Sequence, residues 1–83
     1  MSSPTQPMSE HFAYCIQVLG GVTTSSRRLG IDERALRRFA NGERPVTVRL
    51  MQDMVQALRD LAAEATAAEQ QIAAALGDDA ASS

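Results

Sequence analysis

Residues 22–46 read VTTSSRRLGIDERALRRFANGERPV, and this stretch decides the fold. Up to Leu29 it carries a short helix, polar and Ser-rich, whose weak propensity means that tertiary packing must hold it. Thr23 or Thr24 is placed to cap it. Gly30 supplies a turn where a positive φ costs little. Asp32 is a good N-cap for the next helix, Glu33 to about Asn41. On that helix Leu36 and Phe39 point inward, with Ala35 and Ala40 as small flanking contacts. Arg34, Arg37, Arg38 and Asn41 fall on the other side at helical spacing. Gly42 stops the helix, and Pro45 forbids its continuation.

The flanks extend the helical pattern. Upstream, Ser9 is a suitable N-cap, and Phe12, Cys15, Ile16 and Leu19 form an amphipathic stripe that Gly20-Gly21 ends. Downstream, Thr47 caps a fourth helix, with Val46 and Met51 spaced for a hydrophobic staple. No breaker follows until Gly77, so this helix spans about 29 residues, or ~43 Å. Within it Met51, Leu58, Ala65 and Ile72 are spaced by seven, and so are Met54, Leu61, Ala68 and Ala75. Such a pattern is an a/d seam, which predicts a homodimer joined through Met51, Met54, Leu58, Leu61, Ala65, Ala68 and Ile72. The expected architecture is all-α, a compact four-helix domain with a long C-terminal helix. Residues 1–8 read as a flexible arm, 9–62 as the domain, 63–76 as a dimerising extension and 77–83 as a frayed tail.

The bulk numbers set limits. At 83 residues and 45% apolar content the chain builds one small core. Phe12, Tyr14 and Phe39 are its only aromatics, so Leu, Val, Met and Ala must fill that core. Thin cores favour oligomers. One cysteine, Cys15, excludes an intrachain disulfide and a Cys-based zinc finger, and reads as a small buried hydrophobe. No apolar run approaches membrane-spanning length, and the N-terminus lacks a signal-peptide pattern, so a cytoplasmic protein is expected. His11 reads as a solvated first-turn residue, and Asp78-Asp79 in a tail is no acid/base pair. No metal-ligand spacing, phosphate loop or catalytic constellation is present, so neither enzyme nor cofactor is expected.

Charge singles out one element. Residues 21–50 hold seven arginines against Asp32, Glu33 and Glu43, a balance of +4, while Arg59 against seven acids leaves the rest at −6, for the net −2. Arginine forks suit phosphate oxygens and guanine edges. Arg-rich helix faces are ordinarily just solvated, but here they coincide with two short helices around a tight turn, the layout of a DNA-reading helix-turn-helix. On that reading Arg34 and Arg37, one turn apart, reach base edges. Asn41 suits adenine or caps the helix end, and Glu33 suits cytosine or the helix dipole. Arg38, at the edge of the face, takes a base or a phosphate. Thr23, Thr24, Arg27, Arg28 and Arg44 are phosphate candidates.

The segment SSRRLGIDERALRRFANGERPV resembles the helix-turn-helix of the phage-repressor-like family, also called Cro-like or xenobiotic-response-element. The likeness lies in Ser26 as the small residue of the second helix and Leu29-Gly30-Ile31 as the turn. It continues with Leu36 and Phe39 as core positions, then Asn41-Gly42-Glu43-Arg44-Pro45. It covers roughly residues 9–62. The resemblance implies a four- or five-helix bundle that reads operator DNA as a dimer on inverted repeats. It would put Glu33, Arg34, Arg37 and Arg38 at the groove and Thr23, Thr24 and Arg44 at phosphates. Two departures stand out: Thr24 and Ser25 replace the family's Gln and Leu near the start of the second helix, and the last helix is longer than the family needs. The expected function is a homodimeric transcription regulator, most simply a repressor, with double-stranded DNA as partner. The competing expectation is a protein-interaction adaptor or antitoxin-like protein working through the long helix. No effector is legible.

Overall fold

The structure, a computed structural model, describes residues 8–82, and for 78–82 the backbone alone. Four helices follow in order: α1 (Met8–Leu19), α2 (Val22–Leu29), α3 (Glu33–Ala40) and α4 (Val48–Ser82). The described chain is all-α, as its patterning requires. Of the expected arm only Met8 falls among the described residues, and it already belongs to α1, so Ser9 sits inside the helix rather than capping it.

The helix ends follow from local chemistry. Asp32 accepts from the backbone N–H of Arg34 at 3.0 Å and of Ala35 at 3.3 Å, satisfying donors that α3 leaves open. Thr47 Oγ1 does the same for Leu50 N–H at 3.1 Å. At the end of α3, Gly42 takes φ 81°, Gly42 N–H bonds to Phe39 C=O at 3.2 Å and Glu43 N–H to Arg38 C=O at 2.9 Å. This is a Schellman closure, which a left-handed glycine makes cheap.

The start of α2 differs from expectation. Its N-cap is Gly21, with no side-chain cap, and Thr23 and Thr24 lie within the first turn. The two glycines after Leu19 turn the chain so sharply that helical geometry resumes at Val22, before either threonine. Ser25, not Ser26, is the fully buried residue of α2, and its hydroxyl donates to Ile16 C=O at 3.3 Å. Ser26 is half-buried and bonds across the turn to Ile31 C=O at 2.5 Å. Small hydroxyls therefore let α2 approach α1 closely without stranding a polar group.

The core is Phe12, Ile16 and Leu19 from α1, Leu36 from α3, and Leu50, Met54 and Ala57 from α4. Phe12, Leu36 and Met54 are wholly buried, each worth ~1.5–3 kcal/mol by apolar burial. Phe39 meets Phe12 edge-on at 5.9 Å between centroids. Both α1 and α2 pack on α4 and on α3, and Leu36 of α3 shares the buried core with Leu50, Met54 and Ala57 of α4. The outer face of α3 is exposed.

The long helix departs from expectation twice. It runs through Gly77 to Ser82 instead of fraying at residue 77. One interior glycine costs ~1 kcal/mol against Ala, and the alanines around it with no following proline absorb that cost. Its 35 residues span ~52 Å, yet burial stops at Leu61. The heptad seam is thus divided. Met54 is fully buried inside the chain's own core, and Met51, Leu58 and Leu61 pack against that core. Met54 is therefore withdrawn from the expected dimer interface. Only Ala65, Ala68 and Ile72 of the expected set lie beyond the packed body, and all three are exposed. The periodicity was real, but α1 and α2 are the first partner it finds.

Candidate nucleic-acid interface

The candidate surface begins with α3, an eight-residue helix anchored at one point. Leu36 is wholly buried, and half-buried Ala35, Phe39 and Ala40 flank it. The opposite side carries Arg34, Arg37, Arg38 and Asn41, all exposed. The structure therefore brings these four expected residues together on one open face. Glu33, at the start of the helix, is half-buried beside them.

Two arginines on this face have acidic neighbours. Arg37 lies 3.6 Å from Glu33, one turn back, and Arg38 lies 3.9 Å from Glu43. Both pairs are solvent-exposed and long, the kind worth ~0–1 kcal/mol. A bidentate contact to a guanine edge contributes ~1–3 kcal/mol of discrimination, so neither pair holds its arginine against such a ligand. Arg34 has no ion-pair partner among the described residues.

The expected phosphate residues divide. Thr23 and Arg27 are exposed, and Thr24 is half-buried. Arg44 is exposed but lies over the Phe39 ring, its guanidinium carbon 5.0 Å from the centroid. That cation–π contact orients the guanidinium and leaves its edge able to donate.

Arg28 does not stand where expected. It grips Glu64 of α4 with both terminal nitrogens, at 2.6 and 3.2 Å, and its side chain is only 24% exposed. The two-pronged bond pushes the Arg28 pKa up and holds the Glu64 carboxyl below the ordinary carboxylate range. Arg28 is therefore removed from the phosphate set. It ties α2 to the middle of the long helix. Glu64 is the residue that sequence reasoning missed here, because nothing in the chain marks a pairing across 36 positions.

Other groups offer little chemistry. Cys15 is half-buried, and burial pushes its thiol pKa up, away from a nucleophilic thiolate. His11 is exposed. No cluster of metal-ligating side chains occurs among the described residues. No helix among them is long and apolar enough to cross a membrane. Compared with known proteins, the chain matches no family model, no curated protein and no solved structure.

Proposed function

We propose that this chain is a sequence-specific DNA-binding transcription regulator, most simply a repressor, that presents α3 to the major groove. One observation carries the reading: α3 is packed through Leu36 on one side and carries Arg34, Arg37, Arg38 and Asn41, all four exposed, on the other. The major groove admits one helix of this width, and its guanine edges take bidentate arginine. Thr23, Arg27 and Arg44 then serve phosphates, which set affinity and its salt dependence. Ala65, Ala68 and Ile72 remain for self-association. They continue the stripe that α1 and α2 cover, so a second copy reaches them only beyond the body, over residues 62–77.

The test is fluorescence anisotropy with the chain's own upstream duplex and a scrambled duplex, at about 50 to 300 mM salt. A preference for the upstream duplex of about a hundredfold or more is expected. Arg34→Ala should cost ~1–3 kcal/mol on that duplex and relax sequence preference. Equal losses on both duplexes would refute base reading. Arg44→Ala should weaken both alike and reduce the salt slope by about one.

A second reading, a protein-interaction adaptor, draws on a different observation. Ile72 and Leu76 on α4 are large apolar side chains, 61% and 63% exposed. Binding to neither duplex at low salt would transfer the function to this surface.

A further inference from the structure

Three helices converge on a cleft at the edge of the proposed DNA face, which shares Arg37 and Asn41 with it. It has a volume of about 300 Å³ and is bounded by α1, the start of α2 and the end of α3. It exists because small residues stand at the convergence: Ala13 on α1, Gly21 before α2, and Ala40 on α3. Its apolar surface comes from these residues together with Ile16, itself 4% exposed, and Val22.

Arg37 is the only charged residue lining the cleft, and Gln17 and Asn41 add amides that can donate or accept. Glu33, which pairs with Arg37 at 3.6 Å, is not part of the lining. Gly21 and Val22 open α2 with no side-chain cap, so that helix end adds a fixed partial positive charge. An apolar hollow with a few convergent polar groups is the usual form of a ligand site, and ~300 Å³ is at the small end of the range.

We propose that this cleft binds a small amphipathic monocarboxylate, its apolar body against Ile16 and Val22 and its carboxylate on Arg37. Arg37 also belongs to the proposed DNA face, so such a ligand withdraws one groove arginine and acts as an effector. The effector role rests on the DNA reading; the binding itself does not.

The experiment uses the full chain without DNA, with 3-phenylpropionate as probe and its uncharged primary amide as control, both followed by backbone amide NMR at millimolar concentration. One saturable site is expected, with shifts centred on Ala13, Val22 and Ala40. The amide should bind about tenfold more weakly, since a charge-assisted bond is roughly twice as strong as a neutral one. Arg37→Gln should lower carboxylate binding to the level of the amide and leave the amide unchanged. Ala40→Leu should close the cleft to both, with a thermal melt confirming that the variant folds. Equal binding of acid and amide, shifts centred elsewhere, or no saturation would overturn the proposal. Binding without any effect on a recognised duplex would refute the effector role alone. Where no duplex is recognised, the DNA reading fails and the NMR result still decides the site.

Discussion

Met54 and Ile72 lie on one heptad seam, yet the structure assigns them opposite roles, and a pair of alanine variants measures the difference. Met54 is wholly buried among the body helices, whereas Ile72 is 61% exposed on the overhang. Truncating a buried Met to Ala costs ~2–5 kcal/mol in lost transfer energy and residual cavity. A chain of 83 residues has a total stability on the order of 4–12 kcal/mol, so Met54→Ala removes roughly a sixth of it at the least. In a domain this small that is a Tm drop on the order of 10–30 °C. Ile72→Ala gives up little buried area and gains helix propensity, so monomer stability should stay within about 0.5 kcal/mol. The assay is urea unfolding followed by circular dichroism at several protein concentrations. The Met54→Ala loss should not depend on concentration. Any Ile72→Ala loss should appear only where the wild-type midpoint itself rises with concentration. An Ile72→Ala penalty as large as that of Met54→Ala at the lowest concentration would refute the division of the seam. So would a near-neutral Met54→Ala.

Further outcomes follow from the caps and the ion pair. Asp32→Ala removes two acceptor contacts at the start of α3 and should cost ~0.5–2 kcal/mol, read as a lower thermal midpoint, with Asp32→Asn recovering most of it. Gly30 holds φ 69°, so Gly30→Ala should destabilise by ~1–2 kcal/mol in the same melt. The Glu64 carboxyl is held below its ordinary range by Arg28, so its stabilising contribution is complete above the unfolded-state pKa and is lost as pH falls through the lower folded-state value. The melting difference between wild type and Glu64→Gln should therefore be present at neutral pH and vanish in acid. A difference that persists unchanged at low pH would show that Glu64 acts by packing rather than charge.

Elements whose causes lie within one or two turns were legible in the sequence. Asp32 and Thr47 cap the helices they were expected to cap, and Gly30 and Gly42 turn the chain where a left-handed residue was needed. The stripe of Phe12, Ile16 and Leu19 and the buried Leu36 were legible because one helical period fixes which side chains share a face. The same period placed Arg34, Arg37 and Arg38 together on the outer side of α3.

Which partner each face finds depends on how the helices come together. Arg28 looked like its neighbour Arg27 until the fold carried Glu64 to it. The seam of α4 is visible in the sequence, but periodicity reports that a face is apolar and not what covers it, and Met54 is covered by the chain's own core. The cleft under Arg37 had no signature, because Ala13, Gly21 and Ala40 come from separate segments and leave a hollow only where three helices meet. Capping and periodicity act through backbone bonds spanning four residues or so. Partner choice depends on contacts between distant segments, which exist only after the chain has closed on its core.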